Sequence, residues 1–140
     1  MTHSDIEDAL IELLIDNLPT INGIPISESL VQTPNAPFNI KDIEKDSTWI
    51  RTGVQWDNAS QVSAGRNGYS ITEGVLNVDI FSPPLKGNKT YKELQTQIIA
   101  LIYKNTSIEC TSIIGVHPTN KGIVGGWHHY KLEFSIRFTF

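Results

Sequence analysis

The last eleven residues of the chain alternate strictly between apolar and polar side chains, and this pattern sets the strongest limit on the fold. Apolar side chains occupy every second position from Tyr130 to Phe140. A period of two is that of a β-strand, because successive side chains point to opposite faces of a sheet. One face of this strand is therefore expected to pack on a core, and the other to meet water or a partner, as in an antiparallel sheet.

Three other segments have patterns that are typical of strands. The first runs from Trp49 to Trp56 and turns Ile50, Val54 and Trp56 to one face. The second alternates from Leu76 to Ile80 and ends at Pro83-Pro84, because proline cannot donate to a sheet ladder. The third is predicted from four apolar side chains: Ile108, Cys110, Ile114 and Val116.

The side-chain parity changes just before the second of these strands. Tyr69 and Ile71 have the opposite parity to Leu76, and Glu73-Gly74 lies between them. One inserted residue next to a glycine is typical of a β-bulge. The sequence therefore predicts a bulge at Glu73-Gly74.

Two segments have the 3.6-residue period of an amphipathic helix, each behind a capping box. The first box is Ser4–Glu7, and its helix is predicted to run to about Asn17, before Pro19. The second box is Thr90–Glu93, and its helix is predicted to end near Asn105. The apolar stripes are Ile6, Ala9, Leu10, Leu13 and Leu14 in the first helix and Tyr91, Leu94, Ile98, Leu101 and Ile102 in the second.

The remaining segments lack a sustained period and are predicted to be loops. Thr20–Asp46 contains three prolines and is the longest, with room for one short strand within Ile24–Val31. Asp57–Asn67 and His117–Gly126 are polar and contain glycine, which is typical of hairpin loops.

Together these elements predict a single α+β domain over residues 1–140. The expected order is α-β-β-α-β-β, with both helices packed on an antiparallel or mixed sheet of about four to five strands. A chain of this length buries about 68–70% of the surface that its unfolded form exposes, so a core can form without disulfides or metals.

Composition argues against several classes of protein. The net charge of −4 disfavours a dedicated nucleic-acid binder, because Lys and Arg contacts to phosphate supply most of that affinity. The single cysteine, Cys110, excludes an internal disulfide and a cysteine-based zinc site. No apolar run reaches the about 18 residues of a membrane span, and the acidic N-terminus is unlike a signal peptide. We therefore expect a protein of the reducing cytoplasm with no membrane contact.

Motifs for catalysis and for metal or cofactor binding are weak. His128 and His129 point to opposite faces of a strand, so they cannot share one ion. The segment Gly87–Thr90 resembles the end of a P-loop, but Asn88 and Pro83 stand where that motif needs glycine. We therefore expect no enzymatic activity, no cofactor and no metal site.

Charge is distributed unevenly along the chain. Residues 1–46 hold nine acidic and two basic side chains, giving −7, whereas residues 47–140 hold six and nine, giving +3. A solvated acidic helix is one interpretation of the first segment. Head-to-tail self-association, in which an acidic patch meets a basic patch on the next copy, is the other.

One stretch of the chain is similar to a known family. Trp49-Ile50-Arg51 opens a strand, and a polar loop with Gly65-Arg66 follows. Gly74–Pro84 is then an alternating strand that ends in Phe81-Ser82-Pro83, and Gly87 leads into a helix. In this order the residues resemble the tail terminators, or tail-completion proteins, of long-tailed bacteriophages, and the similarity extends over about residues 1–105.

The resemblance implies an α+β structural protein of the virion, without enzymatic activity or a cofactor. Tail terminators form a ring, commonly a hexamer, on the head-proximal end of the tail tube, where they end tube polymerisation and offer the surface on which the head docks. The implied partners are further copies of the chain, the tail tube protein and a head–tail connector protein. DNA is expected to pass through the lumen without specific binding. The implied location is the neck of the virion, after assembly in the host cytoplasm.

Expected exposure and charge indicate which residues are candidates for contacts within the ring or with the tube. The predicted loops Asp57–Asn67 and His117–Gly126 are long enough to reach a neighbour, and the Pro83–Lys89 turn carries two lysines. Trp127 begins the final strand on its polar face, where a tryptophan is a good interface anchor. The candidate interface residues are Asp5, Asp8, Glu12, Arg66, Lys86, Lys89, Lys121 and Trp127.

Two other functions are compatible with the same residues. One is a head-completion or head–tail connector protein of the neck, which would bind the portal side of the joint and not the tube. The other is a small cytoplasmic enzyme or ligand-binding domain, which would need a concave pocket with converging titratable groups.

Overall fold

A computed structural model describes residues 3–34, 36, 38–44, 46–57, 60–61, 70–84, 89–104 and 111–139 of the protein. Short 3₁₀ turns lie at Glu28–Leu30 and Ile40–Asp42. In chain order the helices and strands are α1 (His3–Asp16), β1 (Thr20–Ile21), β2 (Ile24–Pro25), β3 (Val31–Gln32), β4 (Trp49–Trp56), β5 (Ser60–Gln61), β6 (Ser70–Ser82), α2 (Lys89–Lys104), β7 (Thr111–Val124) and β8 (Trp127–Thr139).

The main sheet has the strand order β3-β4-β6-β8-β7, and β5 pairs with β6 beside this path. β3 runs parallel to β4, whereas the long strands pair antiparallel, so the sheet is mixed. β1 and β2 form a separate hairpin. The α+β class with two helices is therefore confirmed, but the predicted order α-β-β-α-β-β is incomplete. It omits the four two-residue strands, which are too short to show a period of two.

The core lies between one face of the main sheet and the two helices. Both predicted helical stripes face the core, with Leu13 and Leu101 at the partly buried margin, whereas Ala9 is half-buried outside the core cluster. Each fully buried side chain of this size contributes about 1.5–3 kcal/mol relative to an exposed one. The most buried core residues are Ile6, Leu10 and Leu14 of α1, Ile50 of β4, Leu76, Val78 and Ile80 of β6, Leu94, Ile98 and Ile102 of α2, and Tyr130, Leu132, Phe134, Ile136 and Phe138 of β8.

Both helices begin two residues earlier than the capping boxes predict, because a capping box places the first helical residue directly after its N-cap. α1 starts at His3 and α2 at Lys89, so Ser4 and Thr90 lie inside the helices and not at their N-cap positions. The predicted C-terminal ends are nearly correct, since α1 ends at Asp16 and α2 at Lys104. The assigned end of a helix depends on a few local hydrogen bonds, so different definitions place it about one or two residues apart. The apolar stripe, in contrast, fixes the helix itself.

The predicted bulge at Glu73-Gly74 is wrong. β6 pairs with β8 residue by residue from Ile71 to Ser82, and Gly74 faces Ile136 within this ladder. The glycine has a packing role, because a Cβ atom there would lie 2.8 Å from Cε3 of Trp56 and 2.9 Å from a backbone oxygen. Gly74 therefore marks the place where a large ring of β4 covers β6.

Bulges occur in β7, where none was predicted. The pairing with β8 shifts between Ile113 and Gly115, so Ile114 is an extra residue and is half exposed. Ile114, one of the four apolar side chains that predict this strand, therefore lies outside the core, and Ile113 packs against the core. A second shift leaves Lys121 as an extra residue between Asn120 and Gly122.

The predicted loop His117–Gly126 is mostly strand. β7 continues to Val124, and only Gly125 and Gly126 form the turn into β8. Both glycines have positive φ angles, 59° and 83°, as the tightest hairpin turns require. β7 is an edge strand, which is why it accepts Pro118 and polar side chains that resemble a loop in sequence.

Some predictions concern segments outside the described residues. These are most of the Asp57–Asn67 loop, Ile108 and Cys110 in the third strand, and Phe140 at the end of the fourth. Within 20–46 the predicted loop contains β1, β2 and β3. No helix of the described part of the chain is long and apolar enough to cross a membrane.

The close approach of Trp56 to Gly74 can be tested by substitution. We expect Gly74→Ala to destabilise the protein by about 1–3 kcal/mol, because the new methyl group overpacks a site bounded by backbone and a ring. Gly115→Ala in β7 is the control, since no atom lies within 4 Å of a Cβ placed there. Urea unfolding followed by tryptophan fluorescence measures both, and equal midpoints would contradict the proposed role of Gly74.

Candidate interaction surface

The face of the sheet opposite the helices carries a compact cluster of aromatic and charged side chains. It is built where β4, β6 and β8 run side by side. Trp49 of β4 is the cross-strand partner of Phe81 in β6, and Arg51 is the partner of Asp79. These four residues belong to the two ends of the Trp49–Pro84 pattern, so pairing of the strands brings both ends of that pattern together. We call them, with His129 of β8, the second-face cluster.

Aromatic stacking organises the cluster. The Trp49 and Phe81 rings stack with centroids 4.1 Å apart, and the His129 ring stacks on the other side of Phe81 at 4.4 Å. Phe38 and Trp127 close the stack at its margin, at 5.4 Å and 6.1 Å from Trp49. Each such pair contributes about 0.5–1.5 kcal/mol beyond the area that it buries. Trp49 is consequently as buried as the main core.

A buried carboxylate lies next to this stack. Asp79 accepts from His129 Nε2 at 2.7 Å through one oxygen and from Arg51 Nε at 3.4 Å through the other. The Arg51 guanidinium also lies over the Phe81 ring, 5.1 Å from its centroid. Burial of an ionised carboxylate is costly unless charged or polar groups pair with it. Asp79 therefore ties β4, β6 and β8 together through two side chains that have no other acceptor in the described residues.

The Asp79 carboxylate can hold the His129 ring and the Arg51 guanidinium in fixed positions. A carboxylate bonded to histidine orients the ring in many hydrolases, but no hydroxyl or thiol of the described residues is hydrogen-bonded to His129. No group of three metal-ligating side chains that could hold an ion occurs in the described ranges. What the cluster does supply is a fixed and half-exposed Arg51 guanidinium on a stiff sheet.

A second network shapes the end of the β7–β8 hairpin. The Asn120 side-chain oxygen accepts from the Gly122 N–H at 2.9 Å and lies 3.1 Å from His128 Nε2. Because that oxygen can only accept, His128 Nε2 carries the proton, and Nδ1 accepts from the Tyr130 hydroxyl at 3.1 Å. Burial raises the pKa of Tyr130, so this hydroxyl keeps its donating proton well into alkaline solution. The network holds the chain on both sides of Lys121.

The candidate residues predicted from sequence are spread over four elements. Asp5, Asp8 and Glu12 lie on the exposed side of α1, and Lys89 is the exposed first residue of α2. Lys121 is the extra residue of a β7 bulge, and Trp127 is half-buried against Trp49. Arg66 and Lys86 lie outside the described residues.

The second-face cluster cannot be identified as a unit from the sequence alone. By its period Asp79 is one of the alternating polar residues of a strand, and His129 is expected to face water or a partner. One signal was present, because aspartate is depleted in strands and Asp79 is enclosed by Val78 and Ile80. The Arg51 partner follows only from the register of β4 on β6.

Comparison with known proteins does not place this chain in a family. No family model matches it, and no curated protein matches its sequence. The geometry of the described residues, together with the sequence resemblance, therefore carries the functional argument.

Asp79 and Glu73 allow a matched test of the cluster, because both lie on β6 and both form an ion pair across strands. Asp79→Ala is expected to cost about 1–3 kcal/mol, since it leaves His129 and Arg51 without their acceptor. Glu73→Ala removes the exposed pair with Arg137, which is 2.8 Å long, and is expected to cost less than about 1 kcal/mol. Chemical unfolding measures both variants, and an equal loss would show that Asp79 does not anchor the cluster.

Proposed function

We propose that this chain is a tail terminator of a long-tailed bacteriophage. In this proposal it forms a ring on the head-proximal end of the tail tube, stops tube polymerisation and offers the docking surface for the head. The partners are other copies of the chain, the tail tube protein and a head–tail connector. The site of action is the virion neck.

The second-face cluster is the observation that supports this proposal most directly. The resemblance rests on Trp49 and Arg51 at the start of one strand and on Phe81 near the end of another. In the structure Trp49 is the cross-strand partner of Phe81 and stacks on it, and the Arg51 guanidinium lies over the same ring. Antiparallel pairing alone brings the start of one strand beside the end of the other, so the support comes from these specific contacts among the three side chains. The pattern thus describes a structural unit, as expected for a family whose role is mechanical.

A small enzyme or ligand-binding domain has weaker support. A groove of about 510 Å³ lies between the end of α1 and α2, and the Gln97 amide is one of the polar groups that line it. That amide is already engaged, because it accepts from the Thr20 N–H at 2.7 Å and donates to the Thr20 carbonyl at 2.8 Å. Gln97 therefore anchors the β1–β2 hairpin to α2 and is not available to a ligand.

Tube capping is tested by adding the protein to tail tubes that polymerise from the purified tube protein of the same phage. We expect bound protein at one end of each tube in negative-stain images, and elongation that stops. Light scattering of the free protein is expected to show a species of about six protomers. Bovine serum albumin at equal concentration controls for unspecific adsorption.

The same experiment separates the tail terminator from its neighbours in the neck. A head–tail connector would leave tube elongation unchanged and would bind the portal side of the head. Unchanged elongation together with no binding at either end of the tube would overturn the proposed function.

A further inference from the structure

The two long edges of the main sheet carry opposite charge. α1 packs over β4, near one edge, and it contributes five acidic side chains and no lysine or arginine. The β7–β8 hairpin forms the other edge, and its strands carry Lys121 and Lys131 against a single acid, Glu133, while Arg137 is paired with Glu73 of β6. The acidic and basic segments of the sequence therefore lie at opposite sides of one sheet.

The acidic edge contains an open groove. β3 pairs with β4 only at Ile50 and Arg51, so the described chain provides no strand partner on that side of β4 from Thr52 onward. A groove of about 330 Å³ lies there, and Glu7 of α1 lines it together with Arg51, Gly53, Gln55 and Asp79. Since Arg51 and Asp79 neutralise each other, Glu7 sets the charge of the groove.

The basic edge carries an exposed lysine, Lys121. Lys121 is the extra residue of a bulge, outside the ladder with β8, and the Asn120 and His128 side chains fix the chain around it. Ile123 and Val124, which follow it, are more than half exposed. Pro118 and the two bulges interrupt the backbone edge of β7 and so prevent a continuous ladder with another strand. A contact at this edge must run through side chains.

We propose that in the free protein the β7 edge of one copy docks on the α1–β4 groove of the next, with Lys121 placed against Glu7. A basic edge that meets an acidic edge on an identical molecule makes a head-to-tail contact, and repetition of such contacts closes a ring. This inference rests on the proposed function, because it names the surfaces with which the ring would assemble. It adds which residues pair and in which direction the copies follow one another.

The test is a charge swap between two separately purified variants. Lys121→Glu and Glu7→Lys are each expected to weaken self-association by about tenfold or more, because like charges then meet at every contact. In an equimolar mixture the altered β7 edge of the first variant can meet the altered groove of the second, so that opposite charges pair again. The native β7 edge of the second variant then meets the native groove of the first. The mixture is therefore expected to recover wild-type association, as alternating rings. Analytical ultracentrifugation at low salt measures all three samples.

Matched controls carry the same charge changes elsewhere. Lys92→Glu on the exposed side of α2 and Glu44→Lys in the segment before β4 are expected to associate like the wild type. Recovery in the mixture also shows that both swap variants are folded, since a misfolded chain would not regain partners.

Three results would overturn the inference, and each is distinct from failure of the proposed function. They are a wild type that stays monomeric at the highest soluble concentration, swap variants that associate normally, and a mixture that does not recover. Any of these combined with normal capping of tail tubes would leave the tail-terminator proposal intact. Recovery in the mixture without any binding to tubes would support the head-to-tail contact and would overturn the tail-terminator proposal.

Discussion

The pairing of β6 with both β4 and β8 is the interaction on which the rest of the structure depends. Through this strand the sheet joins two separately packed faces. Leu76, Val78 and Ile80 lie under the helices, whereas Asp79 and Phe81 hold the second-face cluster. A one-residue slip of β6 would exchange these two sets, burying Asp79 under the helices and exposing three apolar side chains. The register of β6 is therefore secured by both faces at once.

Periodicity predicts helices and strands well where one face of the element is buried and the other is exposed to solvent. The start and end of β4, the alternation of β8 and both helical stripes follow directly from it. Periodicity failed where a strand lies at an edge or is covered on both faces. The second half of β7 carries Pro118, Asn120 and Lys121, because an edge needs no apolar side chains, and these residues predict a loop. Gly74 resembles a bulge position in the sequence, because the Trp56 ring that requires a glycine there comes from another strand.

The candidate site was less predictable than the fold, for a related reason. Trp127 and Lys121 could be selected from type and position, and the structure gives each a definite place, in an aromatic stack and in a bulge. Asp79 could not be selected, because its partners are 28 and 50 residues away along the chain. Only strand register brings Arg51 and His129 to it, and register is a property of the whole sheet.

The burial of the second-face cluster is informative about how a ring subunit of this kind would work. A ring closes only if its two contact surfaces keep a constant angle, since a small error repeats at every subunit. On the proposed assembly both surfaces are edges of one sheet, and β4, β6 and β8 connect them. Asp79, with Arg51 and His129, crosslinks these three strands. The resemblance would then rest on residues that fix the angle of the ring.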